Sequence, residues 1–137
     1  MSDTLNLTET RQERDLRTGT VHPRFLQGVF PFAGRGVFEL ALLDDALAIR
    51  VPAGTTARLV YFRAGNASDE LVYLAFAVNG SPIRYFPVGP NADFHVPLVI
   101  VEAHHAGETL AIYFAAPRGT TGTLVVDAGF LFGEHGE

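Results

Sequence analysis

The fold is decided between residues 71 and 88. Leu71-Val72-Tyr73-Leu74-Ala75-Phe76-Ala77-Val78 is followed by Asn79-Gly80, and then by Ser81-Pro82-Ile83-Arg84-Tyr85-Phe86-Pro87-Val88. A tight hairpin turn needs positive φ at both central residues, and Asn-Gly tolerates it, so this dipeptide between two apolar runs is a strong hairpin signal. The flanking runs are strand-sized and rich in β-branched and aromatic residues. Two antiparallel strands are expected here.

The same texture extends both ways. From Val21 onward, short apolar runs are broken by turn formers: Asp44-Asp45, Gly65-Asn66, Gly89-Pro90-Asn91 and Pro117-Arg118-Gly119. Strands are expected over 25–32, 36–43, 46–51, 56–64, 70–78, 83–88, 94–102, 109–115 and 122–132. Nine strands at this spacing favour a sandwich or jelly roll over a parallel sheet, which would need helical crossovers. The expected fold is all-β: an antiparallel two-sheet sandwich, jelly-roll-like, of about nine strands. A polar N-terminal tail (1–20) precedes the sandwich domain (21–133), and a polar C-terminal tail (134–137) follows it. A helix over 7–16 with Thr8 as N-cap would have almost no apolar face, so the tail is expected to order only on packing against something.

A Pro-x-Gly-Thr-Thr-x-x-Leu-Val pattern occurs at 52–60 and again at 117–125. A looser form runs from Ala106-Gly107-Glu108-Thr109 into Ile112-Tyr113-Phe114. The simplest physical content is a glycine turn feeding a threonine-started strand, used three times. A duplicated half-sandwich is the alternative.

Composition bounds the chemistry. The 137 residues are 47% hydrophobic and 18% charged, too apolar for disorder and enough for one cored domain. No apolar run approaches the roughly 20 residues of a membrane span. The start, Met1-Ser2-Asp3-Thr4-Leu5-Asn6, lacks the basic and apolar regions of a secretory signal, so a cytoplasmic location is expected. The net charge is −5, and Arg11, Arg14 and Arg17 alternate with acids, so neither nucleic acid nor membrane is an expected partner. All ten cations are arginine; lysine and cysteine are absent. That excludes Schiff-base lysines, thiol catalysis and cysteine-held metal sites. Serines occur only at 2, 68 and 81, the last two in turn contexts, and no catalytic motif accompanies them.

Several strands are apolar on both faces. In 71–78 one face carries Leu71, Tyr73, Ala75 and Ala77, the other Val72, Leu74, Phe76 and Val78. A strand with one wet face should alternate. A covering layer is therefore expected, from loops, the tail or another copy of the chain, which favours a homo-oligomer.

Two constellations are candidate sites. Arg58, Tyr61, Arg63, Tyr73, Arg84 and Tyr85 are expected to share a sheet face suited to a carbohydrate, a carboxylate or a protein partner. His95, Glu102, His104, His105 and Glu108 form a possible divalent-metal set. However, a cupin-like site wants its histidines one residue apart, and adjacent strand residues point to opposite faces. No cofactor is predicted. The leading expectation is a non-catalytic β-sandwich module that self-associates and binds a protein or small ligand. A carbohydrate-binding jelly roll and a cupin-like metal-dependent enzyme are the alternatives.

Overall fold

A computed structural model describes residues 21–134. The 1–20 tail with its considered helix, and the C-terminal tail beyond Glu134, lie outside the described residues. The order of elements is β1 (Val21–Ala33), β2 (Gly36–Leu42), a 3-10 turn (Asp45–Leu47), β3 (Ala48–Arg50), β4 (Thr55–Ala67), β5 (Val72–Val78), β6 (Ser81–Val88), β7 (Ala92–Pro97), β8 (His104–His105), β9 (Thr109–Ala116) and β10 (Thr121–Glu134).

The strands form two antiparallel sheets. The first runs β1-β10-β4-β7, with β8 also on β4; the second runs β2-β9-β5-β6, with β3 also on β9. Among the described strands only β5 and β6 are both consecutive and paired. Every other neighbour is reached by crossing between sheets, which is the connectivity of a jelly roll. The Asn79-Gly80 turn closes the β5–β6 hairpin with φ of 52° and 83°, the signs a type I′ turn demands.

Inward side chains from both sheets fill the core. Phe62 of β4 stacks on Phe86 of β6 with centroids 4.1 Å apart. Phe32 meets Phe114 at 5.7 Å and Phe76 meets Phe130 at 5.8 Å, so aromatic pairs span the gap in three places. Such pairs add to area burial because ring edges and faces carry opposite partial charge.

The repeated sequence pattern is a reused turn. Thr55 N–H donates to Pro52 O, Thr120 N–H to Pro117 O and Glu108 N–H to His105 O. The third residue of each turn is glycine with φ of 76°, 88° and 91° for Gly54, Gly119 and Gly107. Only glycine enters that region freely, which explains its place in all three copies.

Three expected elements differ. The strand placed at 94–102 ends at Pro97: Leu98 N–H still donates to Val60 O at 3.0 Å, and pairing with β4 then ceases. The chain then runs irregularly to β8. Residues 65 and 66 are not a corner but lie inside β4, since the Asn66 amide turns inward and finds the carbonyls of Glu70, Val88 and Gly89 at 2.8–3.1 Å. The strand expected from 46 begins at Ala48, because the Asp44 carboxylate accepts from Ala46 N–H and starts a 3-10 turn.

Candidate functional site

The two outer faces differ sharply in chemistry. On the second sheet, register places Ala115, Tyr73 and Pro87 in one row. Leu42, Tyr113, Ala75 and Tyr85 make the next, and Ala48, Ala111, Ala77 and Pro82 the third. None carries charge. The alanines at 75, 77 and 115 are at most 1% exposed, Ala75 lying between Tyr113 and Tyr85, whereas Tyr85 is 59% exposed. This accounts for the doubly apolar texture of β5. Where β2 begins, Gly36 pairs with Ala116 and Ala41 with Phe114, so the intervening residues stand off the sheet. Phe38, in that bulge, is 92% exposed. Val37, Phe38, Leu40, Leu71, Tyr73 and Tyr85, together with the charged Glu70, line an open and mostly apolar cavity of about 550 Å³.

The outer face of the first sheet carries a polar row straight across four strands: Gln27, Asp127, Arg63 and His95. The row above it is Phe25, Gly129, Tyr61 and Pro97; the row below is Val29, Val125, Gly65 and Asp93. Asp127 is the anchor. Tyr61 Oη donates to its Oδ1 at 2.9 Å and Arg63 Nη2 to its Oδ2 at 2.6 Å. The Tyr61 phenol is pushed above its ordinary range by burial and by its bond to the Asp127 carboxylate, with Arg63 opposing. Its ring meets His95 edge-on at 6.1 Å.

The six arginines and tyrosines expected to share a face are therefore divided. Arg58, Tyr61 and Arg63 lie on β4 in the first sheet. Tyr73 and Tyr85 lie on the outer face of the second. Arg84 pairs with inward Phe76 beside a bulge at Ile83, and so turns toward the space between the sheets, where its Nη2 meets Glu102 Oε1 at 2.9 Å. Sheet order decides this division, and sheet order is not written in strand periodicity.

The five histidines and glutamates also separate. His95 faces outward on β7, while His104 faces the core from β8, its ring edge-on to Phe76 at 5.3 Å. His105 points away from His104, as adjacent strand residues must. Glu108 Oε1 is occupied by the His105 N–H at 2.6 Å. Among the described residues no three histidines or carboxylates form a group able to hold a metal ion. Burial holds His104 below the ordinary histidine range. Glu108 and Glu102 counter this in part, while His105 and Arg84 reinforce it.

No protein-family model and no curated protein sequence matches this chain. Among solved structures, one described as Bacillus endospore appendages, a family of disulfide-linked pili, aligns with TM-score 0.52 at 8% identity, over 85% of this chain and 90% of that one. A structure of infectious bursal disease virus, Gt strain, aligns at TM-score 0.49 and 10% identity over 33% of its chain. An exo-β-1,3-galactanase of Phanerochaete chrysosporium aligns at 0.33 and 15% over 29% of its chain. The last two scores carry no structural weight. At 8% identity the first likeness is one of fold: the chain is a β-sandwich of the same general architecture.

Proposed function

We propose that this chain is a non-catalytic assembly module whose copies pack through the three uncharged rows on the outer face of the second sheet, which Arg50 borders in the next row. The observation that carries this is the three-row surface of Tyr73, Tyr85, Tyr113, Leu42 and alanines, extended by the projecting Phe38. Tyrosine is enriched in the cores of interfaces and charge is depleted there.

Two further features favour a second copy as the occupant. The chain carries a net charge of −5, so copies repel wherever acidic surfaces meet, and the three rows themselves carry no charge, with Glu70 and Arg50 at their margins. Strand-to-strand joining is also hindered, because β1 carries Pro23 and Pro31, β6 carries Pro82 and Pro87, and β7 carries Pro97. Proline on an edge strand presents no N–H to an incoming strand. Face packing is therefore favoured over joining through β1, β6 or β7, while the β2 edge carries no proline. With no cysteine in the sequence, such an assembly forms without disulfides, unlike the disulfide-linked pili whose fold is similar.

Light scattering after gel filtration tests this directly. The full chain is expected to exceed its 14.8 kDa monomer mass, and Phe38→Asp with Tyr85→Asp to return it to monomer. Each substitution should cost about 2 kcal/mol of association, as a charge placed in a desolvated interface core does. A wild-type chain that is monomeric at every concentration would end this proposal.

A further inference from the structure

We propose that the outer face of the first sheet, opposite the assembly face, holds a binding site for a neutral saccharide. The site is the trough between the polar row and the row beneath it. Its floor opens at Gly65, where the nearest atom to an added Cβ is Val125 Cβ at 3.8 Å. The trough is open and about 690 Å³ in volume, lined by Gln27, Val29, Arg63, Asp93, Val125 and Asp127. Small-molecule sites commonly fall between roughly 300 and 1,000 Å³.

The ligand class follows from the mixture of groups. A sugar hydroxyl both donates and accepts, so it needs donors and acceptors side by side. Arg63 spends one N–H on Asp127 and remains 59% exposed in its side chain, leaving further donors. Each Asp127 oxygen accepts one bond from the protein and keeps a second lone pair for a ligand. Asp93 adds acceptors, and the Gln27 amide supplies both kinds. Val29, 66% exposed, and Val125, 47% exposed, provide the apolar wall that the C–H face of a sugar ring requires.

Charged ligands fit less well. An anion meets the carboxylates of Asp93 and Asp127 against the single guanidinium of Arg63, and a cation meets that guanidinium in the middle of the trough. The Tyr61–Asp127 pair is in place before any ligand arrives, because the tyrosine ring lies over Gly129. Preorganisation of this kind lowers the cost of binding. Among the described residues no aromatic ring lines the trough, so affinity is expected in the millimolar range.

The experiment is a two-dimensional amide NMR titration of the full chain with glucose, galactose, mannose and N-acetylglucosamine, with glucuronate and glucosamine as charged counterparts. At least one neutral sugar should give saturable shifts at Gly65, Asp93 and Val125. Gly65→Val should abolish them while leaving the rest of the spectrum in place, because valine suits a strand and fills only the trough floor. The proposal is overturned if no neutral sugar saturates, if a charged sugar saturates before every neutral one, or if the shifts survive in Gly65→Val. None of these results depends on the assembly face.

Discussion

The ring of Tyr61 occupies the space above Gly129 in which a side chain would otherwise stand. The two residues are cross-strand partners on β4 and β10, and a Cβ built on Gly129 would lie 2.0 Å from Tyr61 Cε2. The glycine thus lets the ring lie low enough for its hydroxyl to reach Asp127. Gly129→Ala must displace that ring, and is expected to cost about 1–3 kcal/mol, the usual range for overpacking. Urea denaturation measures it. In a Tyr61→Ala background the same substitution should cost much less, and equal costs in both backgrounds would show that the ring is not the obstacle.

Asn66 is the polar stitch at the end of the sandwich where β4, β5 and β6 converge. Its side-chain nitrogen lies within hydrogen-bond distance of Glu70 O, Val88 O and Gly89 O, and its Oδ1 accepts from Ser68 Oγ at 2.8 Å. Asn66→Ala should destabilise by about 1–3 kcal/mol, the cost of leaving buried carbonyls unpaired. Asn66→Asp should be worse at neutral pH, because it turns a carboxylate oxygen toward those carbonyls, and its deficit should shrink in acid as the carboxylate protonates. Denaturant midpoints of the two variants at neutral and acidic pH decide between this account and simple loss of volume.

The strands and their turns were legible because each follows from chemistry local in sequence. Asn79-Gly80 dictates a tight hairpin, and the glycine turns before Thr55, Thr109 and Thr121 read the same way each time. What stayed illegible depends on partners distant in sequence. Nothing near Arg84 reveals that a bulge on β6 aims it between the sheets, or that Tyr61 and Tyr73 belong to different sheets. The polar row was half visible: Arg63 was a candidate, but its partner Asp127 lies 64 positions away and looked like an ordinary strand polar residue. Asn66 reads as a turn former because asparagine seldom sits in a strand, and only its three carbonyl partners make the exception.

The edge prolines give a prediction about misassembly rather than stability. Replacing Pro82 and Pro87 with threonine restores two N–H donors to the exposed edge of β6. Folding stability should change by no more than about 1 kcal/mol, since threonine is favourable in strands. Thioflavin-positive aggregation under mild heating should nevertheless accelerate several-fold. The comparison is best made in a Tyr85→Asp background, so that face-to-face assembly does not mask it. Unchanged aggregation kinetics would mean that the prolines are not what guards this edge.

His104 makes stability depend on pH in a definite direction. It is only 6% exposed and packed against Phe76, and burial lowers its affinity for a proton below the ordinary histidine value of 6.5. Glu108 and Glu102 pull the other way, and His105 and Arg84 push with the burial. In the unfolded chain the imidazole titrates at its ordinary value. Below that pH the unfolded state gains a proton that the folded state resists, so stability falls as pH falls. Above it the imidazole is neutral in both states and its contribution is complete. Urea midpoints measured from about pH 7.5 down to about 5.5, above the range where most carboxylates titrate, should therefore decline. His104→Leu, which keeps an apolar side chain against Phe76, should flatten that decline even if it shifts stability by a constant. A variant whose midpoint falls as steeply as that of the wild-type chain would place the pH dependence in other groups.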